Sequence, residues 1–258
     1  MRFILESLGV IVVLLAAMLG AQAWGRRQGE RSRLLTGTID KSPYGATEGA
    51  VFALLGLFLA FVFSGAGGRF DDRRHLVIEE TNAIGTAWLR IDLLPARSQP
   101  AIRGLFREYL DARLETYRLV SAGEPYEASR RRYVSLQQEI WNESVRGADA
   151  SDKTVAAMLL LPALNQMFDI ATTRVAVTRI HPPVVVYVMI AMLAIVSSVF
   201  VGHGSAGSGV RSTVHSLAFA VVLAIVLYVI VDLEFPRLGL IRVDSMDRLL
   251  VELRESMD

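Results

Sequence analysis

The sequence predicts an all-α membrane protein, with four transmembrane helices in two pairs and a helical domain between the pairs. Three observations predict it. The chain is apolar overall, 52% hydrophobic with a mean hydropathy of +0.40, yet 21% of its residues are charged. Those charges are segregated into a middle region enclosed by apolar blocks near both ends. Apolar residues in that middle recur with helical spacing, and no useful length of sequence alternates with the period of a strand.

The first apolar block covers about residues 3–24, long enough for a helix to cross a hydrocarbon core of roughly 30 Å. Arg2, the apolar run and Ala21-Gln22-Ala23 imitate a signal peptide, but the length of the run and the later spans favour a helix that stays. The second span covers about 48–66, the third about 183–202 and the fourth about 213–231. His181-Pro182-Pro183 opens the third span, where proline loses only an amide that lacks a helical partner. Residues 202–209, rich in glycine and serine, make a short turn between spans three and four.

The chain therefore divides into a first helix pair over residues 1–66, a helical domain over 67–181, a second pair over 182–231 and a tail over 232–258. In the domain, a helix is expected from about Arg69 to Leu94, stopped by Pro95, with Leu76, Ile84, Trp88 and Ile91 on one side. The next presents Ile102, Leu105, Phe106, Tyr109, Leu110, Leu114 and Tyr117 on one face. A third helix is expected from about Tyr126 to Val145. A fourth begins at Ser151 as N-cap and carries Pro162, which should kink it.

Lysine and arginine near the span ends set orientation. With the amino terminus inside, the inner flanks hold Arg2, Arg69, Arg73, Arg74, Arg174, Arg179, Arg237, Arg242 and Arg248; the outer flanks hold Arg26, Arg27, Arg31, Arg33, Lys41 and Arg211. The balance puts both termini and the middle domain in the cytoplasm. Arg130-Arg131-Arg132 reads more readily as a solvated helix face than as a lipid-headgroup or partner patch.

Some chemistries find no support. With no cysteine there is no disulfide or thiolate chemistry, and 27 basic against 26 acidic residues leave no basic excess for nucleic acid. No phosphate-cradling loop, metal-ligand spacing or nucleophile elbow is present, so neither an enzyme nor a cofactor or metal site is expected. His75, His181, His203 and His215 are scattered, and Glu79 and Glu80 are adjacent, so they diverge on a helix and read as structural.

The second span carries two stripes. Gly56, Ala60, Ser64 and Gly68 recur every fourth residue and would let another helix approach closely. Ala53, Leu57 and Phe61 form an adjacent apolar stripe. Packing explains both, but the second stripe could instead face a pore as rings of apolar side chains, the form hydrophobic gating takes. Apart from Glu48 at the very edge of span two, no charged residue lies inside spans two to four, which disfavours a proton relay or a motor-type stator.

The segment FALLGLFLAFVFSGAGGRFDDRRHLVIEETNAIGTAWLR, with DLEFPRLGLIRV after the last span, resembles the DUF4239 family of bacterial membrane proteins, described as bestrophin-like. In bestrophins a pore-lining helix ends in phenylalanine, followed by arginine and aromatic residues, an acid, arginine and asparagine. Here Phe61 is followed by Arg69, Phe70, Asp72, Arg74 and Asn82. On this register the bestrophin neck falls on Ala53, Leu57 and Phe61. Asp232, Glu234, Pro236 and Gly239 resemble the acidic-proline-glycine stretch after the fourth span. Leu240-Ile241-Arg242-Val243 stands where animal bestrophins have their calcium clasp, so calcium gating is not expected.

The resemblance implies a bacterial inner-membrane homo-oligomer, a pentamer, surrounded by lipid and passing inorganic ions, anions foremost. The alternative is a non-conducting scaffold or signalling protein whose middle helices bind a partner.

Overall fold

The computed structural model describes residues 2–36, 45–149, 154–207 and 210–258. The regular elements among them are all helical. They are α1 (Arg2–Thr36), α2 (Gly45–Arg90), α3 (Gln99–Ala122), α4 (Glu127–Asp149), α5 (Thr154–Val177), α6 (Val184–Gly204), α7 (Val210–Glu234) and α8 (Arg248–Glu255), with 3-10 turns at Ile91–Leu93 and Asp244–Asp247. Ser151, expected as an N-cap, lies outside the described residues, as do Lys41, Ser208 and Gly209.

One helical expectation is corrected. The second span and the helix expected from Arg69 are a single element, α2, of 46 residues. The glycines around Ala66 are weak helix formers, at roughly 1 kcal/mol each against alanine, but they keep their amides and do not break the ladder. The stop comes where proline imposes it: Leu94 turns to extended backbone (ψ 159°) ahead of Pro95, whose ring disfavours the helical region for its predecessor. Pro183 is likewise the N-cap of α6 rather than its first helical residue. Pro162 lies inside α5, which remains one helix.

The residues group into two compact units, 2–68 with 181–235, and 69–180 with 236–258. In the first, α6 runs along α1 over a longer face than along its hairpin neighbour α7. Glycine makes this approach possible. A Cβ on Gly25 would collide with the Val199 carbonyl, and one on Gly202 with the backbone of Gln22. Small residues let helix backbones close up in this way where lipid removes the hydrophobic drive. Met18 is fully buried, and the Gln22 side-chain amide donates to the Ser216 carbonyl at 2.9 Å, tying α1 to α7.

The second unit has a conventional core. Ile84 and Ile91, Ile102, Phe106, Tyr109 and Leu110 from α3, Leu136 and Ile140 from α4, and Leu160, Leu164 and Met167 from α5 are fully buried. Most of the apolar face expected on α3 is thus inside. The end of α3 is set by Gly123 at φ 73°, where its N–H donates to Val120 and that of Glu124 to Leu119, a left-handed cap that favours glycine. Leu250 of α8 is fully buried, and Arg107 donates to the Met257 carbonyl at 2.8 Å, so the tail is part of this unit.

Among the described residues, five helical stretches are long and apolar enough to cross a membrane: Phe3–Leu35, Gly45–Leu93, Val155–Val177, Val184–Gly204 and Thr213–Glu234. The sequence suggested four. The fifth lies in α5 and is the least apolar, with a hydropathy of 1.4 against 2.2 to 2.8 for the others.

Candidate functional site

The two stripes of α2 share one uncovered side of the helix. Leu57 is 52% and Phe61 68% exposed, and Ala53 is exposed with them. Gly56, Ala60, Ser64 and Gly68 are exposed as well, and a Cβ on Gly56 or Gly68 would meet nothing within 4 Å. The other side of the same segment packs within its own chain: Leu55 and Ala66 are buried, and Phe52 meets Phe219 edge-on at 6.0 Å. The stripe geometry follows from the helix itself, because residues four apart stack on one face.

The residues after this segment divide by burial. Arg69 and Phe70 are half-buried, while Asp72, Arg74 and Asn82 are exposed. Arg74 lies 5.9 Å from the Phe70 ring centroid and 3.4 Å from the Asp71 carboxylate. Arg73 is the buried member of this run and donates to the Ile180 carbonyl at 3.2 Å.

At the end of α7, Asp232 and Glu234 are buried. The His181 ring lies 3.3 Å from the Glu234 carboxylate and stacks on Phe235 at 4.6 Å. Pro236 and Gly239 are buried in the other unit, where the Pro236 carbonyl accepts from the Val243 amide at 2.9 Å. No group of three or more histidine or acidic side chains among the described residues could hold a metal ion.

A second constellation escaped the sequence reading. Glu80 has no exposed surface, and its carboxylate accepts from Arg113 Nε at 2.7 Å, from the Tyr117 hydroxyl at 3.0 Å and from Arg174. The Tyr117 ring faces three guanidiniums, Arg113 at 4.9 Å, Arg174 at 4.3 Å and Arg237 at 4.5 Å. Arg237 makes a two-bond pair with Asp247, at 2.7 and 2.9 Å, and lies 3.3 Å from Asp244. The cluster joins α2, α3, α5 and the tail.

Its electrostatics are self-consistent. Burial by itself pushes the Glu80 carboxyl up, but Arg113 and then Arg174 outweigh it and hold the carboxyl below its ordinary value. Burial disfavours the Arg113 cation, yet Glu80 more than compensates and keeps it charged. With every carboxylate oxygen of Glu80 engaged by a guanidinium or the phenol, the arrangement braces the helices it joins. A signal for it was present: Glu80 follows Val77 by three and Arg113 follows Leu110 by three, so both charges sit in register with buried apolar positions.

Helical unit, apolar helices and uncovered α2 face together describe a class of membrane protein, and comparison says which. The bestrophin-like domain matches residues 41–246, and the chain belongs to the bestrophin-like family. Its fold resembles solved structures of a bacterial bestrophin homologue from Klebsiella pneumoniae. One, a point variant, has 13% identity and a TM-score of 0.71, covering 95% of this chain and 99% of that one. Another has 14% identity and a TM-score of 0.71, covering 95% and 97%. A point variant of a protein described only as a membrane protein has 12% identity and a TM-score of 0.70, covering 96% and 98%. No curated protein matches the chain in sequence.

Proposed function

We propose that this protein is a bestrophin-like channel, a homo-oligomer that conducts ions passively through a pore lined by α2. One observation carries the proposal: the apolar Ala53, Leu57 and Phe61 face is uncovered in its own chain although it contains a phenylalanine 68% exposed. In a ring of copies that face becomes stacked apolar rings, a constriction that gates by dewetting. The neighbouring stripe of Gly56, Ala60, Ser64 and Gly68 would then admit the adjacent copy's helix. The pentamer and the preference for anions follow from the family resemblance, with Arg69 and Arg74 beyond the neck as the nearby positive charges.

In this reading α1, the 48–66 part of α2, α6 and α7 span the inner membrane. Residues 67–181 and 232–258 are cytoplasmic with both termini, as the arginine distribution favours. The fifth apolar helix, α5, belongs with the cytoplasmic helices because Leu160, Leu164 and Met167 are spent inside their core. The function is ion passage rather than catalysis.

The purified protein in liposomes should pass ions, and Phe61→Ala, by widening the narrowest ring, should raise the flux. Absence of flux for every anion and cation tried would reject the channel.

A further inference from the structure

The run Arg130-Arg131-Arg132 is split by the fold into three different situations. Arg132 is paired with Glu108 and Glu139. Arg131 is exposed. Arg130 is turned toward α5, where it lines a groove of about 260 Å³ between α4 and α5.

The groove gathers hydrogen-bond donors without a carboxylate in its lining. The Arg130 Nε is buried and has no hydrogen-bond partner among the described residues; the Glu127 carboxylate, one turn back on α4, lies 3.5 Å from the other end of the same guanidinium. Arg179, in the turn that closes α5, contributes a second guanidinium, which has no ion-pair or hydrogen-bond partner among the described residues. Tyr133 is only 4% exposed, and its hydroxyl also lacks a hydrogen-bond partner among the described residues. Gln137 adds an amide whose bond to Tyr109 is a long 3.5 Å. Val134 and Val175 give the groove an apolar wall.

A buried donor without a partner is unfavourable, and the Arg130 Nε is one; the exposed Arg179 guanidinium and the Tyr133 hydroxyl stand beside it in the same concavity, where one ligand could complete all three. Two guanidiniums with a phenol suit a tetrahedral oxyanion, which takes parallel N–H donors from arginine. The volume lies just below the usual range for small-molecule sites, roughly 300 to 1,000 Å³, so it fits one anionic group with a short arm and not a nucleotide. We propose that the α4–α5 groove binds a phosphate group through Arg130, Arg179 and Tyr133, supplied by a lipid headgroup or by a small soluble phosphate.

The test uses the full-length protein. Inorganic phosphate is titrated against it in phosphatidylcholine nanodiscs, following thermal unfolding. Retention of phosphatidylglycerol in detergent is followed by native mass spectrometry. Wild type should bind at least one probe, and Arg130→Gln with Arg179→Gln should weaken that binding by about tenfold or more, the scale of a lost charged hydrogen bond. Arg131→Gln, outside the groove, should leave it unchanged.

Phosphate binding in the nanodiscs would support the site with a soluble ligand, and phosphatidylglycerol retention alone would support it with a lipid. Binding of neither probe overturns the proposal. So does an equal loss on Arg131→Gln, which would reveal only diffuse charge. Both arginines in the groove are at least partly exposed, so the variants should fold, as circular dichroism and elution volume will verify.

Discussion

A carboxylate with no exposed surface, Glu80, is held by two guanidiniums and a phenol, so removing its charge strands Arg113 and Arg174 as well as deleting bonds. Breaking a buried pair from one side typically costs about 3–5 kcal/mol. Glu80→Gln should therefore lower the unfolding midpoint strongly, whereas breaking an exposed pair such as Arg118 with Glu115, screened by solvent, should barely move it. The pH dependence follows from the same contacts. Because the folded carboxyl is held below its ordinary value of 4.5, its stabilisation is complete above that value and is lost as pH falls through the depressed one. Thermal unfolding of wild type and Glu80→Gln, measured from neutral pH downward, should converge at the acid end. A constant gap across the range would reject Glu80 as the titrating group.

At the scale of elements, the two glycine-rich helices behave differently. Gly202 faces the backbone of Gln22 with no room for a methyl group, so Gly202→Ala must push α1 and α6 apart and should cost about 1–3 kcal/mol, read as a lower midpoint in detergent. Gly56 meets open space in its own chain. Gly56→Leu should leave the fold of one chain intact while weakening association between copies, seen as a shift from oligomer to smaller species on mass photometry. If Gly56→Leu leaves the oligomer unchanged, that stripe is not where copies meet. Gly123→Ala, which forces a side chain into the left-handed region, should cost about 1–2 kcal/mol.

For the whole molecule, the decisive quantity is the number of copies. Each chain weighs 28.4 kDa, and native mass spectrometry should find a multiple that closes a ring. A monomer would leave the α2 face without the neighbours that the proposed pore needs, and flux should then be absent as well. The uncovered Ala53, Leu57 and Phe61 face would in that case be lipid-facing.

The sequence by itself determined the all-helical class, the apolar blocks, the face of α3 and the two stripes of α2. All of these depend on spacing within one segment, and helical geometry converts spacing directly into a face. The continuity of α2 through its glycines was less legible, because weak helix formers mark a possible break without imposing one as proline does. Only the tertiary structure decided which glycines are crowded. Gly25 and Gly202 are closed against other helices while Gly56 is open, and this depends on where a distant segment lies. It also decided that Glu80 meets Arg113 and Arg174, and that Arg130 alone of its run turns toward Arg179. A charged residue's own neighbourhood says that it needs a partner, but packing chooses which one it finds.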